Sequence, residues 1–316
     1  MSRYHPYRKE DEKSEYDFTP LMTCGYQVIP NVLSARECET LKVGIKGAWD
    51  SLKPPSLKDC KKKKPVNLHG IVKHYQVGHW PEVWSVRQHM GVYNVFAQLW
   101  DSRELTVSYD GLCYKRAPEF EGRNPRKSRA WWHFDQGAKK IGYRCTQGFV
   151  TLNPLEEGDD CLMVFARSHL YHTEFMRKYP NSKGDFVKLS EEQVEWLLDR
   201  GCEPVRVAAP LGSLILWDSR TCHMGGTALK GRANPKDCYK VYVCYQPFRM
   251  MTQRQRAKKL AGWENLRTTS HWPLETKLNG LNPQWGALRT DEAVKPRRPK
   301  LGPLGLKMVG LKKWSE

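Results

Sequence analysis

Trp131-Trp132-His133-Phe134-Asp135-Gln136-Gly137 is the stretch on which the reading of this chain turns. On an extended strand successive side chains alternate between faces, so His133 and Asp135 share one face while Phe134 points away. An imidazole and a carboxylate then converge on one point, which is two thirds of a metal site. Two imidazoles and a carboxylate on one face are the donor set that holds non-haem Fe(II) while leaving positions open for a cosubstrate and oxygen. The second imidazole must come from downstream, and His223 is the candidate. It follows Pro210-Leu211-Gly212, which reads as a turn, and Ser213-Leu214-Ile215-Leu216-Trp217-Asp218, which reads as a buried strand. It precedes the Gly225-Gly226 turn, so it sits at a strand end.

Further segments surround these three residues. They are Gly148-Phe149-Val150-Thr151-Leu152-Asn153, the run Asp160-Cys161-Leu162-Met163-Val164-Phe165-Ala166-Arg167-Ser168-His169, the Gly-Ser-Leu-Ile-Leu-Trp-Asp-Ser-Arg run at 212–220, and the opening Gly25-Tyr26-Gln27-Val28-Ile29-Pro30 strand. With His133, Asp135 and His223 in that order, residues 24–275 resemble the phytanoyl-CoA dioxygenase family, a branch of the Fe(II)/2-oxoglutarate oxygenases. The resemblance implies an α+β fold, a double-stranded β-helix (jelly-roll, cupin-like) core with flanking helices. It implies Fe(II) on His133, Asp135 and His223, 2-oxoglutarate as cosubstrate with ascorbate as a conceivable auxiliary reductant, and hydroxylation of a small organic substrate. Arg167, Ser168 and His169 resemble the family's Gly-Ser-His turn and read as scaffold.

The cosubstrate's distal carboxylate needs a basic partner, and here the chain departs from the family. The family's Arg offset after the distal His falls on Asn234, and counting back from the Tyr242-Val243-Cys244-Tyr245-Gln246-Pro247 strand end puts the position at Cys238. Two substitutes remain. Arg232, in the loop after His223, is the first choice because a guanidinium grips a carboxylate through two parallel hydrogen bonds. Lys240 shares a strand face with Cys238 and is the second. Thr151 and Ser108 are candidates for hydroxyl contacts to the cosubstrate. Trp131, Trp132 and Lys115, with Arg116 and the loop at 122–129, flank the expected mouth and suit a flat or anionic substrate.

At 316 residues and 36.7 kDa the chain can bury a full core in one domain. Residues 1–23 read as a disordered arm, 24–275 as the oxygenase domain and 276–316 as a basic Pro/Gly-rich tail that does not pack. The formal charge of +18, the Lys61-Lys62-Lys63-Lys64 run and the basic tail suit nucleic acid or another polyanion. No zinc finger or other named nucleic-acid module accompanies them. The first residues lack the apolar segment of a secretory leader, and no run is long enough to span a membrane. The ten cysteines form no C-x-x-C pair and read as reduced thiols. The expected location is therefore cytoplasm or nucleus, without the C-terminal Ser-Lys-Leu address of peroxisomes. Oligomeric state is left open.

Helices are expected from a Ser34–Glu37 capping box to about Leu52, from Pro81 to about Trp100, over Ser190–Asp199, and over about Thr252–Leu266. Strands are expected at 105–116, 148–153, 161–165, 205–208, 213–217 and 239–246. His69, His74, His79 and His89 match no metal-ligand spacing and read as structural or substrate-lining. His172 reads as exposed, and His271 as packing with Trp272 against the shell. Two other classes of function stay open: a catalytically silent barrel that binds a ligand or partner, and an oxygenase or binding protein acting on nucleic acid.

Overall fold

The computed structural model describes residues 15–52, 69–125, 129–180, 184–279 and 297–315. Twelve strands build two antiparallel sheets. The larger runs β1 (Tyr26–Ile29), β10 (Leu214–Asp218), β6 (Thr146–Thr151), β12 (Cys238–Pro247), β4 (Leu112–Lys115), β2 (Ile71–Val72), with β3 (Leu105–Val107) paired to the far end of β12. The smaller runs β8 (Val187–Lys188), β5 (His133–Phe134), β11 (His223–Gly225), β7 (Leu162–Phe165), β9 (Pro204–Val207). Eight α-helices flank them: α1 (Thr19–Cys24), α2 (Ala35–Ser51), α3 (Pro81–Arg87), α4 (Met90–Leu99), α5 (Ser168–Lys178), α6 (Glu191–Leu198), α7 (Gln253–Glu264) and α8 (Pro303–Val309).

Directly paired residues on antiparallel strands share a face, so the register defines what lines the space between the sheets. Val28, Ile215, Phe149 and Tyr242 form one row across the larger sheet, and Thr151, Lys240 and Cys113 another. Phe149, Ile215 and Trp217 pack against Leu162, Val164 and Val207 of the smaller sheet, which closes the two sheets over one apolar interior. The alternate residues Val150, Leu214, Leu216, Val241, Val243 and Tyr245 face outward, where α2, α3 and α4 cover them in the largest core cluster. β6, β10 and most of β12 are thus buried on both faces, which is why their sequences read as near-continuous apolar runs.

Local signals place most helices. Ser34 Oγ accepts from Glu37 N at 3.3 Å while Glu37 Oε2 accepts from Ser34 N at 2.8 Å, the reciprocal cap that starts α2. Ser190–Gln193 and Thr252–Gln255 repeat it at α6 and α7. The single helix expected from 81 to 100 is two, because His89 leaves helical geometry and its Nδ1 accepts from Gly91 N at 3.1 Å, an N-cap inserted mid-run.

Both expected tails pack in part. Leu21 of α1 is buried, Pro20 lies in that helix's first turn, and Gly25 closes it in the left-handed conformation, so order begins before residue 24. In the C-terminal segment Pro303 opens α8, Gly310 ends it, and Met308 and Val309 are wholly buried. Thr106 Oγ1 donates to Met308 O at 3.0 Å, and Arg297 grips Glu82 with bonds of 2.7 and 2.9 Å. Composition hid this, since the Pro and Gly that suggested a loose tail serve as helix start and stop. The Lys61–Lys64 run and residues 1–14 lie outside the described residues. Among the described residues no helix is long and apolar enough to cross a membrane.

Candidate metal centre

β5 and β11 lie side by side with His133 opposite His223, so both imidazoles leave the smaller sheet on its inner face. The chain leaves β5 at Phe134 and turns, which carries Asp135 back toward them. Asp135 Oδ2 lies 3.8 Å from His133 Nε2 and 3.3 Å from His223 Nε2, and the three donor atoms fall within 4.8 Å of one another. Ligand bonds of about 2.0–2.2 Å at right angles put neighbouring donors roughly 3 Å apart, so these separations are of the size one ion bridges. The tautomers are set by backbone. His133 Nδ1 donates to Trp131 O at 3.1 Å and His223 Nδ1 to Thr221 O at 2.9 Å, and because a carbonyl can only accept, both Nε2 lone pairs face the centre.

The charge states suit a cation. Burial lowers the pKa of His133, which keeps it neutral. Burial by itself would raise the Asp135 pKa. The imidazoles of His271, His133 and His223 around it outweigh that and hold the carboxyl well below its usual range. Neutral imidazoles and an ionised carboxylate are the ligating forms.

The turn around the triad is braced from outside. Gln136 Nε2 donates to Lys140 O and Gly142 O at 2.8 and 2.7 Å, and its Oε1 accepts from Ser219 Oγ at 2.7 Å. Ser168 Oγ donates to Phe165 O and accepts from Cys222 N at 2.8 Å, which fixes the strand entrance just before His223. His169 Nε2 donates to Met22 O at 2.8 Å. These contacts put Ser168 and His169 in the scaffold place expected of them. His172, expected at the surface, is buried and donates from Nε2 to Gln136 O at 2.7 Å. Its helix lies under the triad turn instead of facing solvent.

The remaining candidates separate. Trp131 stacks on His133 with ring centres 4.7 Å apart and planes 16° apart, and its Nε1 donates to Gly225 O at 3.2 Å. Trp132, also expected at the mouth, points the other way and packs on Phe165 at 4.3 Å in the core behind the sheet. The same alternation that joins His133 to Asp135 divides the two tryptophans. Lys115 Nζ pairs with Asp160 Oδ1 at 2.6 Å. Ser108 is buried, and its backbone N–H donates to Cys244 O. Thr151 Oγ1 donates to its neighbour Asn153 O at 2.6 Å.

Arg232 lies with only 4% of its side chain exposed, gripped by Glu119 at 2.8 and 2.9 Å and by Asp159 at 2.8 Å. The guanidinium that looked best suited to an incoming carboxylate already holds two from its own chain. Lys240 has the reverse situation. It sits on β12 with its side chain in the inter-sheet space beside Thr151. Its Nζ donates to Asp160 O at 2.7 Å and lies 5.2 Å over the Phe149 ring. Asp160, the neighbouring carboxylate, is already paired with Lys115. Phe149 meets Trp217 at 5.9 Å and Trp217 meets His223 at 5.4 Å, so one wall of rings runs from the lysine to the triad.

Two further features border the triad: His271, which the sequence set with Trp272 against the shell, and Phe186, which it did not single out. His271, from the loop after α7, brings Nδ1 to 3.9 Å from Asp135 Oδ2 while also meeting Trp272 at 5.4 Å. Phe186, just before β8, sets its ring 4.7 Å from His133. Neither has a spacing signal, because both arrive from segments far from the H-x-D motif along the chain.

No family model matches the chain. Ava biosynthesis cluster protein O of Aspergillus versicolor is 28% identical over 218 residues, 66% of this chain and 68% of that one. The crystal structure of the hypothetical protein JW0805 from Escherichia coli superposes with a TM-score of 0.62 at 13% identity, covering 92% of this chain and 80% of that one. EctD from S. alaskensis, solved with bound Fe, gives a TM-score of 0.52 at 17% identity over 79% of this chain and 82% of EctD. In its complex with 2-oxoglutarate and 5-hydroxyectoine the TM-score is 0.50 at 15% identity, over 95% and 92%. At these identities the likeness to the solved structures is one of fold.

Proposed function

We propose that this protein is an Fe(II)- and 2-oxoglutarate-dependent oxygenase, built on a double-stranded β-helix of the kind found in the phytanoyl-CoA dioxygenase family, that hydroxylates a small organic molecule. The observation that carries this is the convergence of His133 Nε2, His223 Nε2 and Asp135 Oδ2 within 4.8 Å on the inner face of the sheet. The fold likeness to EctD, which was solved with Fe and with 2-oxoglutarate, supports the same reading.

Three protein donors on one face leave the other side of an ion free, which is the requirement for binding a chelating cosubstrate and oxygen. When bound, the iron and cosubstrate supply the oxidising power. The chain's own tasks are ligation, orientation and exclusion of water. We assign Lys240 in preference to Arg232 to the distal carboxylate of 2-oxoglutarate. A buried ammonium has three protons to place, and among the described residues Lys240 donates to a backbone carbonyl, Asp160 O. An incoming carboxylate would neutralise it. Thr151, next to Lys240 across the strands, and Ser108 are the hydroxyls retained as secondary contacts. Trp131 and Lys115 are retained at the substrate side, and Trp132 as their support from the core.

The test is anaerobic titration of the purified protein with Fe(II) and 2-oxoglutarate, followed by the weak visible charge-transfer band of the chelate. The band is expected in the parent and lost in His223→Ala. Absence of the band in the parent would overturn the reading and favour a silent barrel.

A further inference from the structure

The cleft beside the triad contains two groups that neither ligation nor the fold requires. The first is Phe186, 54% exposed with its ring against His133. A large apolar side chain held half in water at the edge of a cleft is a contact surface in search of a ligand. Its backbone is held in place. Gly137 N donates to Asp185 Oδ1 at 3.3 Å, Lys140 Nζ binds Asp185 Oδ2 at 2.5 Å, and a Cβ at Gly137 would come within 2.2 Å of Gly184 O. Only glycine lets these two turns approach so closely. Trp131 lies on the same imidazole but its other face is taken by His69 at 4.7 Å, so Phe186 is the ring that offers an open ledge beside His133.

The second group is His271. Its Nδ1 is 3.9 Å from Asp135 Oδ2, too far for a hydrogen bond. Its Nε2 is buried with no hydrogen-bond partner among the described residues. Leaving such an atom unsatisfied is unfavourable, and a ligand that supplies the partner removes the cost. The His271 loop is tied to the ledge through one residue. Lys140 Nζ, besides holding Asp185, lies 2.8 Å from Glu275 Oε2 and 4.3 Å over the Trp272 ring. The ledge and the unpartnered imidazole are therefore held at a fixed relation to each other.

We propose that Phe186 and His271 recognise the substrate, and that the substrate class is a flat, mostly apolar ring system carrying a hydroxyl. The ring lies on Phe186, where ring-on-ring contact adds to apolar burial. The hydroxyl meets His271 Nε2. A hydroxyl both donates and accepts, so it satisfies that nitrogen in either tautomer. This assignment rests on the oxygenase reading for the word substrate; the chemistry of the cleft stands on its own residues.

The experiment is equilibrium dialysis of the full-length protein, anaerobic and with Mn(II), against 2-naphthol and its hydroxyl-free isostere 2-methylnaphthalene. The parent is expected to prefer 2-naphthol by about tenfold, the scale of one net hydrogen bond. Phe186→Ala is expected to weaken both probes. His271→Leu should remove the preference while leaving 2-methylnaphthalene bound, and His271→Gln should restore part of it. A parent that binds neither probe or shows no preference overturns the proposal, as does a preference that survives His271→Leu or full binding by Phe186→Ala. Mn(II) affinity, read by electron paramagnetic resonance, reports separately. A parent that takes up no Mn(II) counts against the oxygenase reading, and the dialysis repeated without metal still decides the recognition site.

Discussion

Each residue of the site carries a separable task, and substitutions can tell them apart. His133→Ala or His223→Ala removes a metal-ligating atom and should lower Fe(II) affinity by more than about 100-fold, since even outer-shell changes cost roughly 10–100-fold; a metal titration checks it. Lys240→Met should leave Fe(II) binding intact and weaken 2-oxoglutarate about 10–100-fold, the scale of a lost charge-assisted contact. Arg232→Ala should do the opposite, leaving cosubstrate affinity unchanged. It strips one partner from Glu119 and one from buried Asp159, which keeps Lys236 at 2.9 Å, so urea denaturation should show a loss of about 1–3 kcal/mol. Away from the site, Lys259 is wholly buried, contacts Val107 O, and lies 4.2 Å over the Tyr109 ring. Burial, with Arg87 nearby, lowers its pKa to about 7. The unfolded lysine titrates near 10.4, so between these values the unfolded chain binds the extra proton and stability rises with pH. The gain is up to about 1.4 kcal/mol per pH unit. Lys259→Met should flatten this rise, measured as the difference between parent and variant denaturation midpoints from pH 7 to 10.

At the scale of elements, the H-x-D motif works because β5 ends after two residues. His133 is set by strand geometry, and Asp135 by the turn that Gln136 braces from three sides. Alternation along a strand was legible in the sequence and predicted that His133 and Asp135 meet, although the turn after β5 is what brings Asp135 there. Applied one residue further, it would also have put Trp131 at the site and Trp132 in the core. The break between α3 and α4 was not legible, because a histidine seldom caps a helix and nothing in the apolar spacing interrupts there. Nor was the docking of α8, whose apolar residues Met308 and Val309 fill a gap beside β3 that exists only in the folded chain. Met308→Ala should cost about 2–5 kcal/mol in urea denaturation, the penalty for a cavity in a packed core. An unchanged midpoint would mean that α8 lies on the surface without supporting it.

For the whole molecule, the His133–Asp135–His223 cluster and Lys240 share one interior between two sheets. Binding an ion should therefore stabilise the entire fold. At an Fe(II) or Mn(II) concentration near 100 times Kd the gain is about 2.7 kcal/mol, seen as a rise in Tm that His133→Ala abolishes. The charge of +18 acts at the same scale. It is the excess of 52 basic over 34 acidic residues, so neutral pairs such as Lys140–Asp185, Arg297–Glu82 and Arg232–Asp159 draw none of it away. These pairs position loops.

The residue types and order of the metal site, the alternating strands and the capped helices were determined by sequence alone, since each rests on local geometry with a fixed period of two or 3.6. Which cation is left, among the described residues, without a carboxylate partner of its own was decided only in three dimensions. Arg232 and Lys240 are near in sequence, but Glu119 and Asp159 reach the first while a strand carries the second into the interior. The same holds for His271 and Phe186, brought to the triad by Lys140 clasping two distant loops. Contacts of that kind depend on which surfaces fold together, and no spacing along the chain encodes them.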